Sequence, residues 1–186
     1  MDDANDWFDP ETVLAFWFEE LTPRDWWGKD ADIDARIAAR FGAALTAARA
    51  GELAHWRDTA RGRLAEVLVL DQFSRNVFRD RAEAFAADGM ALVLAQEALR
   101  LGADRELPPA QRAYLYLPYM HSESLPIHDE ALRLFDQPGL EGNLRFERAH
   151  RAIIARFGRY PHRNEALGRP STAEEIAFLS EPGSAF

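Results

Sequence analysis

The sequence predicts an all-α fold, and three observations carry that reading. Apolar residues recur at helical spacing in segment after segment, and no run alternates apolar and polar residues for long enough to build a strand. Proline, glycine and capping residues also stand where helices would begin and end. With 186 residues, 47% apolar and 28% charged, the chain is long enough to bury roughly two thirds of its unfolded surface as a single domain.

The first helix opens at Asp9-Pro10-Glu11, an N-cap acid followed by proline at the first helical position, and should stop by Pro23. Val13, Leu14, Phe16, Trp17 and Leu21 supply its apolar positions. A second spans about Asp32 to Ala50, where Ile33, Ile37, Phe41, Ala44 and Ala48 form a stripe and Gly51 ends it. The third runs from about Gly62 to Phe78, and its middle, Val67-Leu68-Val69-Leu70, is apolar all round, as in a helix enclosed by others. The fourth covers Glu83 to Leu101 and carries Asp88-Gly89 inside it, at a cost of about 1 kcal/mol for the glycine. Pro108-Pro109 opens a fifth, which Pro118 should kink or end near Met120. Shorter helices follow at about Asp129 to Phe135, Leu144 to Phe157 and Thr172 to Leu179, the last announced by the capping pattern Ser171-Thr172-Ala173-Glu174-Glu175. Short loops between them imply antiparallel neighbours.

Composition removes several classes of function. Without cysteine there is no thiol nucleophile, no disulfide framework and no cysteine-ligated zinc or iron–sulfur cluster. The longest apolar run, Ala113 to Met120, is far short of the roughly 18 to 20 residues a membrane span needs, and the acidic start, Met1 to Asp6, is unlike a secretory signal. A cytoplasmic location, with no membrane partner, is therefore expected. The net charge of −9 argues against nucleic acid as a partner. Neither a phosphate-binding loop, a dinucleotide glycine pattern nor Gly-x-Ser-x-Gly is present.

Three segments place polar residues on apolar faces. Leu64, Leu68, Asp71 and Arg75 share one helical stripe, so a face that begins as core ends as an ion pair, with Gln72 and Asn76 one position round. Burying such groups is costly unless each finds a partner. A purely structural reading, in which Asp71 and Arg75 satisfy each other, competes with a functional one. In the second segment Phe146, His150, Ile153 and Phe157 fall on one face, which draws His150 into the interior. The chain then continues Arg159-Tyr160-Pro161-His162-Arg163-Asn164, and Arg145 to Arg169 holds seven arginines against two glutamates. A few cations at a helix C-terminus answer its dipole. Seven do not follow from that, and arginine suits a bidentate grip on carboxylate or phosphate, although Lys29 is the only lysine in the chain. The third segment is His121-Ser122-Glu123, on a stripe with Arg112, Tyr116 and Tyr119 if the helix runs through Pro118. His121 and Glu123 suit either a base with its orienting carboxylate or a metal pair, but the spacing matches no metal signature, so no metal site is assigned.

Taken together, Leu70-Asp71-Gln72-Phe73-Ser74-Arg75-Asn76, His121-Ser122-Glu123-Ser124, Arg156 to Asn164 and Leu167-Gly168-Arg169 resemble the domain-of-unknown-function 924 family. Phe16-Trp17-Phe18, Trp26-Trp27 and Ser171 to Glu175 match as well, so the likeness covers nearly the whole chain. It implies a tetratricopeptide-like helical superhelix and brings no established activity or cofactor. Two departures stand beside the motifs: Ser74 where the family often has proline, and His128 where glutamine is expected.

The functional expectation is a site for an anionic small molecule, bearing phosphate or carboxylate, on which the three segments converge. Arg75, Arg159 and Arg163 would hold the anion with Asn76 and Asn164, while Asp71 and Glu123 orient them. His121, His150 and His162, with Glu123, are the candidates for proton transfer. The alternative is a non-catalytic interaction module whose groove takes an acidic peptide, with Trp26, Trp27 and Tyr119 as anchors. A third reading makes the motifs structural staples that fix helix register.

Overall fold

The computed structural model describes residues 9–184; the acidic start, the last two residues and the side chain of Trp27 lie outside the described part. Helices α1 (Pro10–Ala15), α2 (Pro23–Trp27), α3 (Ala31–Ala50), α4 (Ala60–Leu68), α5 (Ser74–Val77), α6 (Asp88–Arg100), α7 (Pro109–Met120), α8 (Leu125–Phe135), α9 (Glu141–Phe157) and α10 (Ala173–Leu179) follow one another, with no strand among the described residues. The fold is all-α. Asp9 caps α1 by accepting from the Glu11 N–H at 2.9 Å, and the Thr172–Glu175 capping box opens α10. No described helix is long and apolar enough to cross a membrane.

Several boundaries differ from the sequence reading for local reasons. The first and third predicted helices each widen into a π turn, Phe16–Glu20 and Val69–Phe73. The predicted fourth helix begins later, because Ala82–Ala84 forms a separate 3₁₀ turn and Asp88-Gly89 opens α6 instead of interrupting it. Glycine there sits in the first turn, where fewer helical bonds depend on it. Helix α8 starts a turn before the predicted Asp129, with Ser124 at its N-cap and proline in its first turn. Helix α2 was not predicted. It is five residues long, too short for periodicity, and is stapled by the Asp25 carboxylate, which accepts from the Thr22 N–H at 2.7 Å and its hydroxyl at 2.8 Å.

Helix α4 is enclosed as its apolar middle requires: Leu64, Ala65, Val67, Leu68, Val69 and Leu70 are all buried. It packs against α1, α6 and α7, while α3 lies along the π turn and α5. The chain then stacks α7 on α8 and α8 on α9. One face is corrected. On α9 it is Glu147, fully buried, that joins His150 and Ile153 in the interior, whereas Phe146 is 48% exposed. A small second apolar cluster of Ile153, Ile154 and Tyr160 sits beside the main core, and the Tyr160 hydroxyl crosses to it by donating to the Met120 carbonyl at 2.5 Å.

Candidate functional site

The π turn at Val69–Phe73 fits an extra residue into a helical turn, a distortion that recurs at functional sites. Beyond it Ser74 faces inward, and Arg75 keeps 20% of its side chain exposed. Asp71, within the turn, is buried at 1% exposure. Its Oδ1 lies 2.7 Å from His121 Nδ1 and 3.1 Å from Arg75 Nη1, and its Oδ2 accepts from Gln72 at 2.5 Å. Burial pushes the Asp71 carboxyl up, but the Arg75 and His121 partners outweigh it and hold the group well below the ordinary carboxylate range.

Arg75 also donates to both carboxylate oxygens of Asp88, at 2.9 and 3.0 Å. Arg163 reaches the same carboxylate at 3.3 Å and donates to the His121 carbonyl at 3.0 Å. The result is a closed ring of contacts: Asp71, His121, Arg163, Asp88, Arg75 and back to Asp71. Arg163 is more than nine-tenths buried, lies within cation–π distance of Tyr160 and Phe85 at 4.5 and 4.7 Å, and leaves its Nε without an acceptor among the described residues. Burial and then the Arg75 charge pull this guanidinium below the ordinary arginine value.

The backbone of His121 is fixed with equal care. Helix α7 ends there, leaving carbonyls without helical partners. Three side chains take three successive ones: the Tyr160 hydroxyl donates to Met120, Arg163 to His121, and His128 Nε2 to Ser122 at 2.8 Å. Burial pulls His121 below the ordinary histidine value in spite of Asp71, so the ring is neutral near pH 7. With Nδ1 donating to Asp71, the lone pair falls on Nε2, which no described residue bonds.

His121 opens onto a cleft of about 440 Å³ that Asp88, Ser122, Glu123 and Arg163 line together with Phe85 and Leu92. Such a volume suits a small molecule. Glu123 reaches the cleft but is occupied: Arg169 donates to both its oxygens at 2.7 and 2.9 Å, and the Tyr160 N–H donates at 2.8 Å. Burial raises its carboxyl, and these partners more than reverse that.

The structure thus brings Asp71, Arg75, His121, Glu123 and Arg163 together. It places the other sequence candidates elsewhere. Asn76 donates to Asp34 of α3 at 2.8 Å; Arg159 pairs with Glu175 at 2.7 Å; Asn164 donates to Ser171 and accepts from Arg169, both at 3.0 Å. His150 bonds the Phe146 carbonyl at 2.8 Å, and burial pulls it down to about 3. His162 packs on Tyr160 at 5.5 Å and is pulled down to about 4, by burial first and then by Arg163. Of the proposed aromatic anchors, Tyr119 is buried, and Trp26 is half-buried against Tyr114 with its indole N–H on the Trp17 carbonyl. Among the described residues no group of three or more histidines or acids is gathered to hold a metal ion.

Sequence reasoning missed Asp88, Tyr160 and the His128–Glu147 pair, whose contact is 2.7 Å with both side chains fully buried. Asp88 carried a signal, since an acid in the first turn of a helix answers its dipole.

A family model described as a bacterial protein of unknown function, DUF924, matches residues 13–183. A solved structure of a protein of unknown function from Agrobacterium tumefaciens, ATU0120, superposes with a TM-score of 0.87 at 38% identity, over 92% of this chain and 96% of that one. No curated protein matches the chain.

Proposed function

The chain belongs to the DUF924 family of bacterial proteins of unknown function, and from that premise we propose that it is a cytoplasmic protein with a small-molecule site at which His121 acts as a general base. The observation that carries the reading is the 2.7 Å contact of the buried Asp71 with His121 Nδ1, beside a cleft that His121 lines. A carboxylate behind the imidazole fixes its tautomer, leaves Nε2 as the proton acceptor and stabilises the imidazolium formed on proton transfer. An anionic group on the substrate, carboxylate or phosphate, would sit at Arg163, the arginine that lines the cleft. Arg75 is a positioning residue in this scheme, because both its neighbours are carboxylates of the ring. The family likeness further implies a tetratricopeptide-like arrangement of the helices, which the α7–α8–α9 stacking supports.

The test is a thermal-shift screen of the purified protein against carboxylates, phosphorylated metabolites, nucleotides and divalent metals, with His121→Asn and Arg163→Lys beside it. A ligand at 100 times its dissociation constant adds about 2.7 kcal/mol, a shift of several degrees. A shift from one anionic class that Arg163→Lys weakens supports the site. A flat response in the native protein overturns it and leaves the ring as a structural staple.

A further inference from the structure

We propose that Glu123 is a positioning residue of this site: it seats a closed loop, residues 160–169, and through that loop fixes Arg163 and Leu167 in the lining of the cleft, without taking part in proton transfer itself. The proposal rests on the reading of the cleft as a small-molecule site and adds to it the group that holds its latest-arriving part in place.

The loop is tied shut by one side chain. Between α9 and α10 the chain leaves Tyr160, turns through the 3₁₀ segment Pro161–Arg163 and comes back to Tyr160 at Arg169. The Arg169 N–H donates to the Asn164 carbonyl at 2.8 Å, its Nε to Asn164 Oδ1 at 3.0 Å and its Nη2 to the Tyr160 carbonyl at 3.1 Å. Gly168, with a φ of 62°, makes the turn that returns the chain, in a region that suits glycine. Loops whose ends meet in this way are compact and frequently functional.

Glu123 lies outside the loop, in the turn between α7 and α8, and grips both of its ends. Its Oε1 accepts from the Tyr160 N–H at 2.8 Å and from Arg169 Nη2 at 2.9 Å, and its Oε2 accepts from Arg169 Nη1 at 2.7 Å. A bidentate pair sets orientation as well as distance, so one carboxylate ties the loop to the end of α7, where His121 sits. These bonds take up three of the roughly four lone-pair sites a carboxylate has. Burial raises the Glu123 carboxyl, and its partners more than reverse that. A carboxylate held low with its oxygens occupied is a poor base and has no proton to give near pH 7.

The loop brings Arg163 and Leu167 to a cleft whose other lining residues come from 82–92 and 118–123. Arg163 meets Asp88 and the His121 carbonyl there. Moving the loop would therefore shift a cation and an apolar side chain together relative to His121, and a displacement of about 1 Å is enough to spoil a productive geometry.

The experiment compares the native chain with Glu123→Gln, Arg169→Gln and the double variant by amide exchange and by NMR of the Arg163 Nε–H and His121 Nδ1–H. In each single variant the amides of Arg163, Asn164, Leu167 and Gly168, which bond within the loop, should speed up at least about tenfold more than those of α3. The Arg163 Nε–H should exchange faster in step with them, and the double variant should add little to either single one. The His121 Nδ1–H signal, set by Asp71, should stay in place, which a general loosening of the fold would not spare. Arg169→Lys, which keeps the charge but cannot bridge both oxygens, serves if the glutamine variants fail to fold. Unchanged loop amides in Glu123→Gln, a loosened loop with Arg163 undisturbed, or additive effects in the double variant would each overturn the proposal. Loss of the His121 signal would also overturn it, by placing Glu123 in direct action on the base. None of these readings needs a ligand, so their failure is separate from that of the general base, which the thermal-shift screen decides.

Discussion

Arg163 donates to the main-chain carbonyl of His121 at 3.0 Å, so the arginine and the histidine that line the cleft are fixed by one bond. Arg163→Ala should therefore do two things at once. It leaves Asp88 still held by Arg75, so the loss of stability should be about 3 kcal/mol, at the low end for a broken buried ion pair. It should also free the end of α7, seen as faster amide exchange at residues 120–123. Unchanged exchange there would separate the two effects and refute the coupling.

A second expectation concerns the proton between His128 and Glu147. His128 Nε2 faces the Ser122 carbonyl, which can only accept, so that nitrogen carries a hydrogen. Nδ1 faces Glu147, whose carboxyl is pushed up by burial in spite of His128. Glutamine keeps the shape of this side chain and can donate to Nδ1 through its amide. Glu147→Gln should unfold within about 1 kcal/mol of the native protein, while Glu147→Ala should lose about 3 kcal/mol by leaving both a void and an unmet nitrogen. A deep loss in the glutamine variant would mean that the pair is ionic.

Much of this arrangement was legible in the sequence, and the remainder has a physical reason for being hidden. Asp71 and Arg75 stood out because a spacing of four puts them on one face, and His121 because it follows an apolar run at a helix end. Asp88 passes in the sequence for an ordinary residue inside the fourth helix, since its partners Arg75 and Arg163 lie 13 and 75 residues away. The interior place of Glu147 depends on His128, 19 residues earlier and on another helix. Periodicity alone therefore chose Phe146, the more apolar neighbour. Arg159 and Asn164 sit in the right motif, yet they brace α10 through Glu175, a contact that only tertiary packing decides.

Asn76 offers a clean separation between brace and site. It donates to Asp34, which Arg79 also grips at 2.6 and 2.7 Å, and none of the three lines the cleft. Asn76→Ala should cost about 1 kcal/mol in a denaturant titration and leave any ligand affinity unchanged. A parallel loss of affinity would place Asn76 back in the site.

Acid should unfold the protein in two stages. His150 and His162 are pulled down to about 3 and 4 from 6.5. The unfolded chain therefore takes up protons first as pH falls below about 6.5, and stability drops by about 1.4 kcal/mol per pH unit for each histidine. Below the ordinary carboxylate range Asp71 and Glu175 act in the same direction; the Arg159 hydrogen bond and then the Thr172 N–H hold Glu175 down to about 2. Denaturant midpoints at pH 7, 5.5 and 4.5 should fall steadily, and His162→Gln should flatten the upper stage. Equal midpoints at pH 7 and 5.5 would contradict the depressed histidines.

The closed ring of ion pairs and hydrogen bonds draws on residues 71–88, 121 and 163, stretches that meet only when the whole chain has collapsed. Residues 71–88 hold Asp71, Arg75 and Asp88, and the ring closes only when His121 and Arg163 join them. Its members should thus open together, in a single cooperative event of nearly global free energy, and a nick in any one connecting loop would disassemble the cleft even where the helices themselves survived.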